Sequence, residues 1–229
     1  MPPPAEDSTS GFLVLDKPAG VTSAKALNDV KRRFGRGVKV GHAGTLDPFA
    51  TGCLVALVGR GTKRSNDVMQ LPKGYLAEVR LGVTTATLDP EGEEEPAPPI
   101  EPPTLEVVRD VVATFVGEIQ QRPPAFSAIK VDGRRAYDLA RKGGDVDLPA
   151  RPVVLYRIDL VSYDWPRLVL LIESGKGFYV RSLARDVAEA LGTTGYLTAL
   201  RRTHVGPFRA DQATGVEGDL IPLSFLPPT

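Results

Sequence analysis

The apolar positions of the chain fall into short runs broken by glycine and proline, and the spacing within each run names an element. Gly11–Leu15 is an unbroken apolar stretch closed by Asp16-Lys17-Pro18 and reads as a strand. Thr22 or Ser23 can cap a helix that runs to about Phe34, where Gly35 stops it. The next segment, 36–52, is dense in glycine and contains Pro48, so it reads as loop. Leu54–Val58 is a second apolar strand, Thr62 to about Gln70 a helix, and Tyr75–Leu81 a strand of imperfect alternation. Thr104 caps a helix with Leu105, Val108, Val111, Val112 and Phe115 at helical spacing, ending at Gly117. Arg134–Arg141 reads as helical, broken by Gly143-Gly144. Val153–Tyr163 and Leu168–Glu173 flank the turn Asp164-Trp165-Pro166-Arg167 as a hairpin. Tyr179–Leu191 is a helix with Gly192 after it, and Gly195–Arg201 reads as another. Strands and helices mix without regular alternation, which predicts an α/β (α+β) fold around a mixed, mainly antiparallel sheet flanked by helices.

Composition narrows this further. The chain of 229 residues can bury a core unaided, and one cysteine, Cys53, excludes an internal disulfide, compatible with a reducing cytosol and a cytoplasmic protein. Residues 1–10 are polar and proline-rich, without the basic and apolar regions of a signal peptide, and read as a disordered tail. No apolar run reaches the length of about 20 residues that a membrane helix needs, so no membrane partner is expected. Residues 11–229 read as one domain, with 87–103, proline-rich and acidic, as a mobile surface loop.

The formal net charge is zero, yet its distribution is uneven. Glu91–Asp110 carries seven acids and one base; the rest of the chain holds 27 bases against 21 acids, a net of +6. Bases cluster at Lys31-Arg32-Arg33, Arg134-Arg135, Arg141-Lys142 and Arg201-Arg202, groupings that suit either phosphate contacts or solvated helix faces.

Candidate chemistry concentrates in Gly41-His42-Ala43-Gly44-Thr45-Leu46-Asp47-Pro48-Phe49-Ala50-Thr51-Gly52. Its glycines permit close backbone approach, and Pro48 holds Asp47 extended. By itself such a loop is more commonly an Asx-turn or helix cap. Two histidines and one cysteine give no zinc-ligand spacing, no Gly-x-Ser-x-Gly marks a serine hydrolase, and Gly59-Arg60-Gly61-Thr62-Lys63 lacks the phosphate-loop spacing; no metal and no cofactor is expected.

The loop resembles the catalytic motif of the TruB-type tRNA pseudouridine-55 synthases, and further blocks match that family in order. They are Leu15-Asp16-Lys17-Pro18-Ala19-Gly20-Val21-Thr22-Ser23; Gly61-Thr62-Lys63 with Lys73-Gly74-Tyr75; Gln121 to Gly133 with Tyr137 and Ala140-Arg141; and Ser174 to Arg181 with Leu200-Arg201-Arg202. The resemblance implies the pseudouridine-synthase fold, isomerisation of uridine in the T loop of tRNA with the target base flipped out, and a monomer gripping the T stem-loop. It implies Asp47 as nucleophile, attacking C1′ or C6 or assisting glycal formation, with Arg181 as its charge partner. Tyr75 would stack on the uracil and serve as base at C5; Tyr179 and Leu200 would wall the pocket, and His42 would fill the space the flipped base leaves. Lys17, Lys63, Lys130, Arg141 and Arg202 would contact phosphates. Two departures from the family stand out. Ala86 occupies a place where an Asp is common in the Thr-x-Thr stretch after Gly82, and too little chain follows Phe208 for the small C-terminal RNA-binding (PUA) domain of many bacterial members, so a short form is expected. The competing readings are a non-catalytic RNA-binding or tRNA-chaperone protein on the same fold, and a carboxylate hydrolase, for which Asp16 is the nearest second acid in sequence.

Overall fold

The computed structural model describes residues 9–127, 130–131, 134–135 and 148–227. In chain order its elements are β1 (Gly11–Lys17), α1 (Ser23–Ala26), α2 (Asn28–Phe34), β2 (Val40–His42), β3 (Thr51–Val58), a 3-10 turn (Gly59–Arg64), α3 (Ser65–Gln70), β4 (Lys73–Leu81), β5 (Val83–Thr85), β6 (Glu94–Pro96), α4 (Leu105–Ala113), β7 (Gly117–Gln121), β8 (Lys130–Val131), β9 (Arg134–Arg135), β10 (Arg151–Asp164), β11 (Arg167–Ser174), α5 (Val180–Ala190), β12 (Gly195–Val205) and β13 (Phe208–Arg209). The sheet is mixed and mainly antiparallel, with β12 and β3 parallel, as the element pattern predicts. Within the span 11–229 the contacts cluster into two compact units: the chain up to Tyr75 together with the chain from Arg201 on, and Leu76–Leu200.

In the first unit β1 pairs antiparallel with β3 along its whole length, from Gly11↔Val58 to Lys17↔Gly52. Both strands are apolar on both faces. Phe12 and Val14 with Cys53, Val55 and Leu57 pack against Val205, Phe208 and Ala210, while Leu13 and Leu15 with Leu54, Ala56 and Val58 pack against Leu27 and Val30. This two-sided burial explains why the sequence shows continuous runs here rather than alternation. The other edge of β3 takes two partners: β2 at its end (Val40↔Val58, His42↔Ala56) and β12, parallel, at its start (Arg201↔Thr51, Arg202↔Gly52). The segment between His42 and Thr51 therefore leaves β2 and rejoins the sheet beside β12. Gly52 has φ 101°, and a Cβ there would lie 2.2 Å from the Arg202 carbonyl oxygen, so only glycine permits this pairing.

In the second unit β11, β10 and β7 form an antiparallel array, joined at β11 by β4. Thr104 caps α4 as expected, accepting from the Val107 N–H, and Val108 and Val112 face the core. The hairpin at 164–167 and the helix after Tyr179 also form where the sequence places them.

Five expectations change. The segment 36–52, read as loop for its glycines, contains β2, which pairing with β3 holds as strand. Gly195–Arg201 is strand, not helix: the Tyr196, Leu197, Leu200 spacing suits a helix locally, but sheet pairing overrides it. Gly117 opens β7, whose Ile119 pairs with Val153, rather than merely ending α4. The acidic stretch contains β6, zipped to β5 through Val83↔Pro96 and Thr85↔Glu94, with Glu94 accepting from Arg80 (2.7 Å) and from the Tyr196 hydroxyl. Arg134–Arg135 is a short strand paired with β8; the rest of the helix expected over Arg134–Arg141 lies outside the described residues.

Candidate active site

Asp47 sits in the 43–50 loop, and this loop is held by side chains from β1, α1 and β12. Ala43 N–H donates to the Val55 carbonyl (3.1 Å), which launches the loop off β3. Ser23, buried at the start of α1, accepts from the Leu46 N–H (2.8 Å) and donates to the Leu46 carbonyl (2.9 Å), saturating the residue before Asp47. Lys17, 1% exposed, donates to the carbonyls of Pro18 (2.9 Å), Val21 (2.7 Å) and Pro48 (3.1 Å), and Gly20 N–H also reaches Pro48 O (2.9 Å). Arg202, 2% exposed, donates to the carbonyls of Gly44 (3.1 Å), Thr45 (3.4 Å) and Cys53 (2.8 Å). Main-chain groups on both sides of Asp47 are thus fixed by three buried side chains, two of them cations.

The charges interact. Burial pulls the Lys17 amine below its ordinary value, the Asp47 carboxylate pushes it back up, and Arg202 lowers it. Burial raises the Tyr75 hydroxyl, opposed by the charge of Arg202 and by a hydrogen bond from the Arg202 guanidinium; Asp47 raises it again. Burial pushes the Cys53 thiol up to about 11, and its Sγ donates to the Phe208 carbonyl (3.3 Å). His42, half-buried on β2, is held below its usual value by burial first, then by Arg202 and Lys31, and its Nδ1 is buried without a hydrogen-bond partner.

The sequence-based candidates therefore separate. Asp47, Tyr75, His42, Lys17 and Arg202 meet within the first unit. Lys17 and Arg202 do not fit phosphate contacts: both are buried, and their donors are spent on main-chain carbonyls. Lys63 is exposed on the 3-10 turn and fits a solvent-side contact. Lys130 lies on β8, and Arg141 falls outside the described residues. Asp16, the second acid a hydrolase would need, is paired with Arg201 by two bonds of 2.9 and 2.8 Å.

In the second unit Arg181 is 5% exposed in the first turn of α5. It donates to the carbonyls of Thr87 (2.8 Å) and Phe126 (2.9 Å) and pairs with Asp89 (3.1 Å). Asp89, 3% exposed, also accepts from the Thr87 hydroxyl (2.6 Å) and the Glu91 N–H (3.0 Å), and the Thr85 hydroxyl accepts from its N–H (3.1 Å). Sequence reasoning noticed the missing acid at Ala86 and overlooked Asp89 three residues on; the signal available was a second Asp-Pro pair, Asp89-Pro90, after alternating threonines. Tyr179 is set at the head of α5 by Gln121, which donates to its carbonyl (3.1 Å) and accepts from its N–H (2.8 Å), and the Arg151 guanidinium lies 5.3 Å from its ring centroid. Leu200 is buried.

With this geometry in view, the comparisons with known proteins are informative. Residues 31–180 match the profile described as "TruB family pseudouridylate synthase (N terminal domain)" and residues 181–218 that of "tRNA pseudouridylate synthase B C-terminal domain". Curated relatives include "tRNA pseudouridine synthase B" of Corynebacterium aurimucosum, 50% identical over 89% of this chain and 70% of that protein. Another, of the same name, is from Phocaeicola vulgatus, 43% identical over 90% of this chain and 89% of that one. Among solved structures, "Crystal Structure of a Cbf5-Nop10-Gar1 Complex" aligns with a TM-score of 0.69 at 27% identity, covering 89% of this chain and 51% of that one, so the chain spans about half the length of that neighbour. The class defined by fold and profile is that of the pseudouridylate synthases. Within it, the chain belongs to the TruB family.

Proposed function

We propose that this chain isomerises uridine to pseudouridine in the T loop of tRNA, at position 55, with Asp47 as the nucleophile. The N1–C1′ bond breaks, the base turns, and a C5–C1′ bond forms; N1 gains a proton and C5 loses one, with no change of redox state. The observation that carries the reading is the Asp47 loop itself. A carboxylate nucleophile must be ionised and fixed in direction. Lys17 brings buried positive charge to Asp47, and Lys17, Ser23 and Arg202 fix the main chain on either side of it. Tyr75 is the base at C5, and its hydroxyl meets the same Arg202.

The roles given to Arg181 as charge partner and to Tyr179 and Leu200 as walls rest on the family resemblance, as does that of His42 in the flipped base's vacated space. Lys63 contacts phosphate. The substrate presents the T stem-loop to the protein, which we place in the cytoplasm; among the described residues no helix is long and apolar enough to cross a membrane.

The test is 5-tritiated uridine in a T stem-loop transcript. Asp47→Ala abolishes tritium release while RNA binding survives. Full turnover by the variant removes Asp47 as nucleophile and returns the protein to the RNA-binding, chaperone reading.

A further inference from the structure

We infer that Arg202 is a positioning residue for the reaction: one buried guanidinium ties the Asp47 loop to β3 and brings its charge to the hydroxyl of Tyr75, so that one group serves both nucleophile and base. This inference rests on the roles proposed above for Asp47 and Tyr75.

Three observations support it. Arg202 is 2% exposed, the largest fully buried side chain among the described residues, and a cation there is costly unless it does something a neutral residue cannot. Its donors are divided between both flanks of Asp47. Two bonds go to Gly44 and Thr45 before it, and one goes to Cys53, on the strand that follows. Its planar fork alone can address these diverging carbonyls together. The charge of the guanidinium also bears on the buried Tyr75 hydroxyl, whose ionisation it favours against burial. Gly52 makes this approach possible, since any Cβ at that position would strike the Arg202 main chain.

The chemical consequence concerns the proton at C5. A tyrosine takes that proton only as phenolate, and burial of Tyr75 works against the charged form. A permanent cation near the oxygen stabilises the phenolate, and Arg202 is always charged. The Tyr75 hydroxyl gives up its proton to solvent before the transfer; the C5 proton then passes to the phenolate oxygen and restores the neutral tyrosine beside Arg202, while N1 takes a proton from solvent. Because the same guanidinium holds Gly44 and Thr45, loss of Arg202 loosens Asp47 as well.

The experiment compares Arg202→Gln and Arg202→Lys by single-turnover tritium release at saturating T stem-loop RNA across pH, with RNA affinity and its salt dependence measured alongside. Arg202→Gln is expected to slow the reaction between about tenfold and 10²-fold through misplacement of the loop. It should also move the alkaline rise of the rate to higher pH, with RNA affinity and salt slope unchanged. Arg202→Lys keeps the charge but loses the fork, so it slows the reaction while leaving the rise where it is. If Arg202→Gln does not fold, Arg202→Lys decides alone: a slower reaction at unchanged affinity supports the inference, and a wild-type rate overturns it. Weakened binding with a salt slope reduced by about one and an unaltered saturated rate would make Arg202 a phosphate contact and overturn it. An equal loss of rate in both variants with the rise unmoved would make it a purely structural residue and overturn it too. Asp47→Ala, run in parallel, separates the readings: turnover by that variant fails the nucleophile assignment whatever Arg202 does.

Discussion

Replacing Ser23 with alanine should damage the reaction and the fold together, because one hydroxyl saturates the main chain of Leu46. Ser23 Oγ accepts from the Leu46 N–H at 2.8 Å and donates to its carbonyl at 2.9 Å, and Ser23 and Leu46 are 2% and 3% exposed. Alanine leaves the Leu46 N–H and carbonyl buried without the hydroxyl that pairs them. An orphaned buried group costs about 1–3 kcal/mol, and relaxation of the loop recovers part of the total, so about 2 kcal/mol is a fair expectation. For a chain of this length that corresponds to a melting temperature lower by about 4–8 °C. The recovered part comes from movement of the loop, and the residue that moves next is Asp47. A displacement near 1 Å of a reacting group costs up to about 10²-fold in rate. Differential scanning calorimetry and single-turnover tritium release at 25 °C on Ser23→Ala measure both effects, with Ser23→Thr keeping the hydroxyl as control. A lowered melting temperature with a wild-type rate would refute the link between the Leu46 anchor and Asp47. An unchanged melting temperature would refute the anchor itself.

The other expectations are briefer. The folded-state pKa of His42 is held below 6.5, so as pH falls through 6.5 the unfolded chain binds the proton first and stability is lost; His42→Gln should flatten the acid-side fall of melting temperature, checked by thermal melts between pH 7 and 5. Lys63→Ala should weaken T stem-loop binding without altering the saturated rate, and lower the slope of log affinity against log salt by about one. Cys53, buried with its thiol pushed up to about 11, should resist an aromatic disulfide reagent at pH 7.5 in the folded protein and react at once in denaturant. Asp89→Ala leaves the buried Arg181 guanidinium without its carboxylate and should cost about 3–5 kcal/mol in urea denaturation.

The sequence was legible where one local signal dominated. Thr104 and its apolar stripe specify α4, and the turn at 164–167 between two apolar strands specifies the hairpin. It misled where tertiary pairing decides: Tyr196, Leu197 and Leu200 sit at a spacing that helix and strand share, and only pairing with the sheet selects the strand. The Glu94–Pro96 strand is hidden because its acids and proline carry no strand signal; Thr84↔Glu95 and its neighbours form it through main-chain pairing. For the site, the identity of the Asp47 loop was readable from the ordered family blocks and not from its glycines alone, which suit a turn, whereas the duties of Lys17 and Arg202 were not readable. A basic residue in a motif looks the same whether it faces phosphate or carbonyl oxygen, and burial separates the two cases. The role of Asp89 is not legible locally because its partner Arg181 lies far along the chain and only the fold brings the two together.

Why two cations should be buried beside one loop follows from what the loop lacks. Residues 43–50 belong to no regular element, so few of their main-chain groups satisfy one another (Ala50 N–H to Asp47 O is one that does), and Gly44 at φ 86° offers no side chain to pack. Neutral donors could cap the carbonyls of Gly44, Thr45 and Pro48, but would leave the charge of a half-buried Asp47 less compensated. Lysine and arginine do both at once: they supply several donors from one side chain and bring positive charge to the carboxylate. The cost of burying them is offset by satisfying the carbonyls of Gly44 and Thr45 and by adding a second donor at Pro48. A substitution that preserves charge but not donor geometry should therefore spare the ionisation of Asp47 and harm its placement; one that preserves neither should harm both. That difference separates an anchored nucleophile from a buried ion pair kept only for stability.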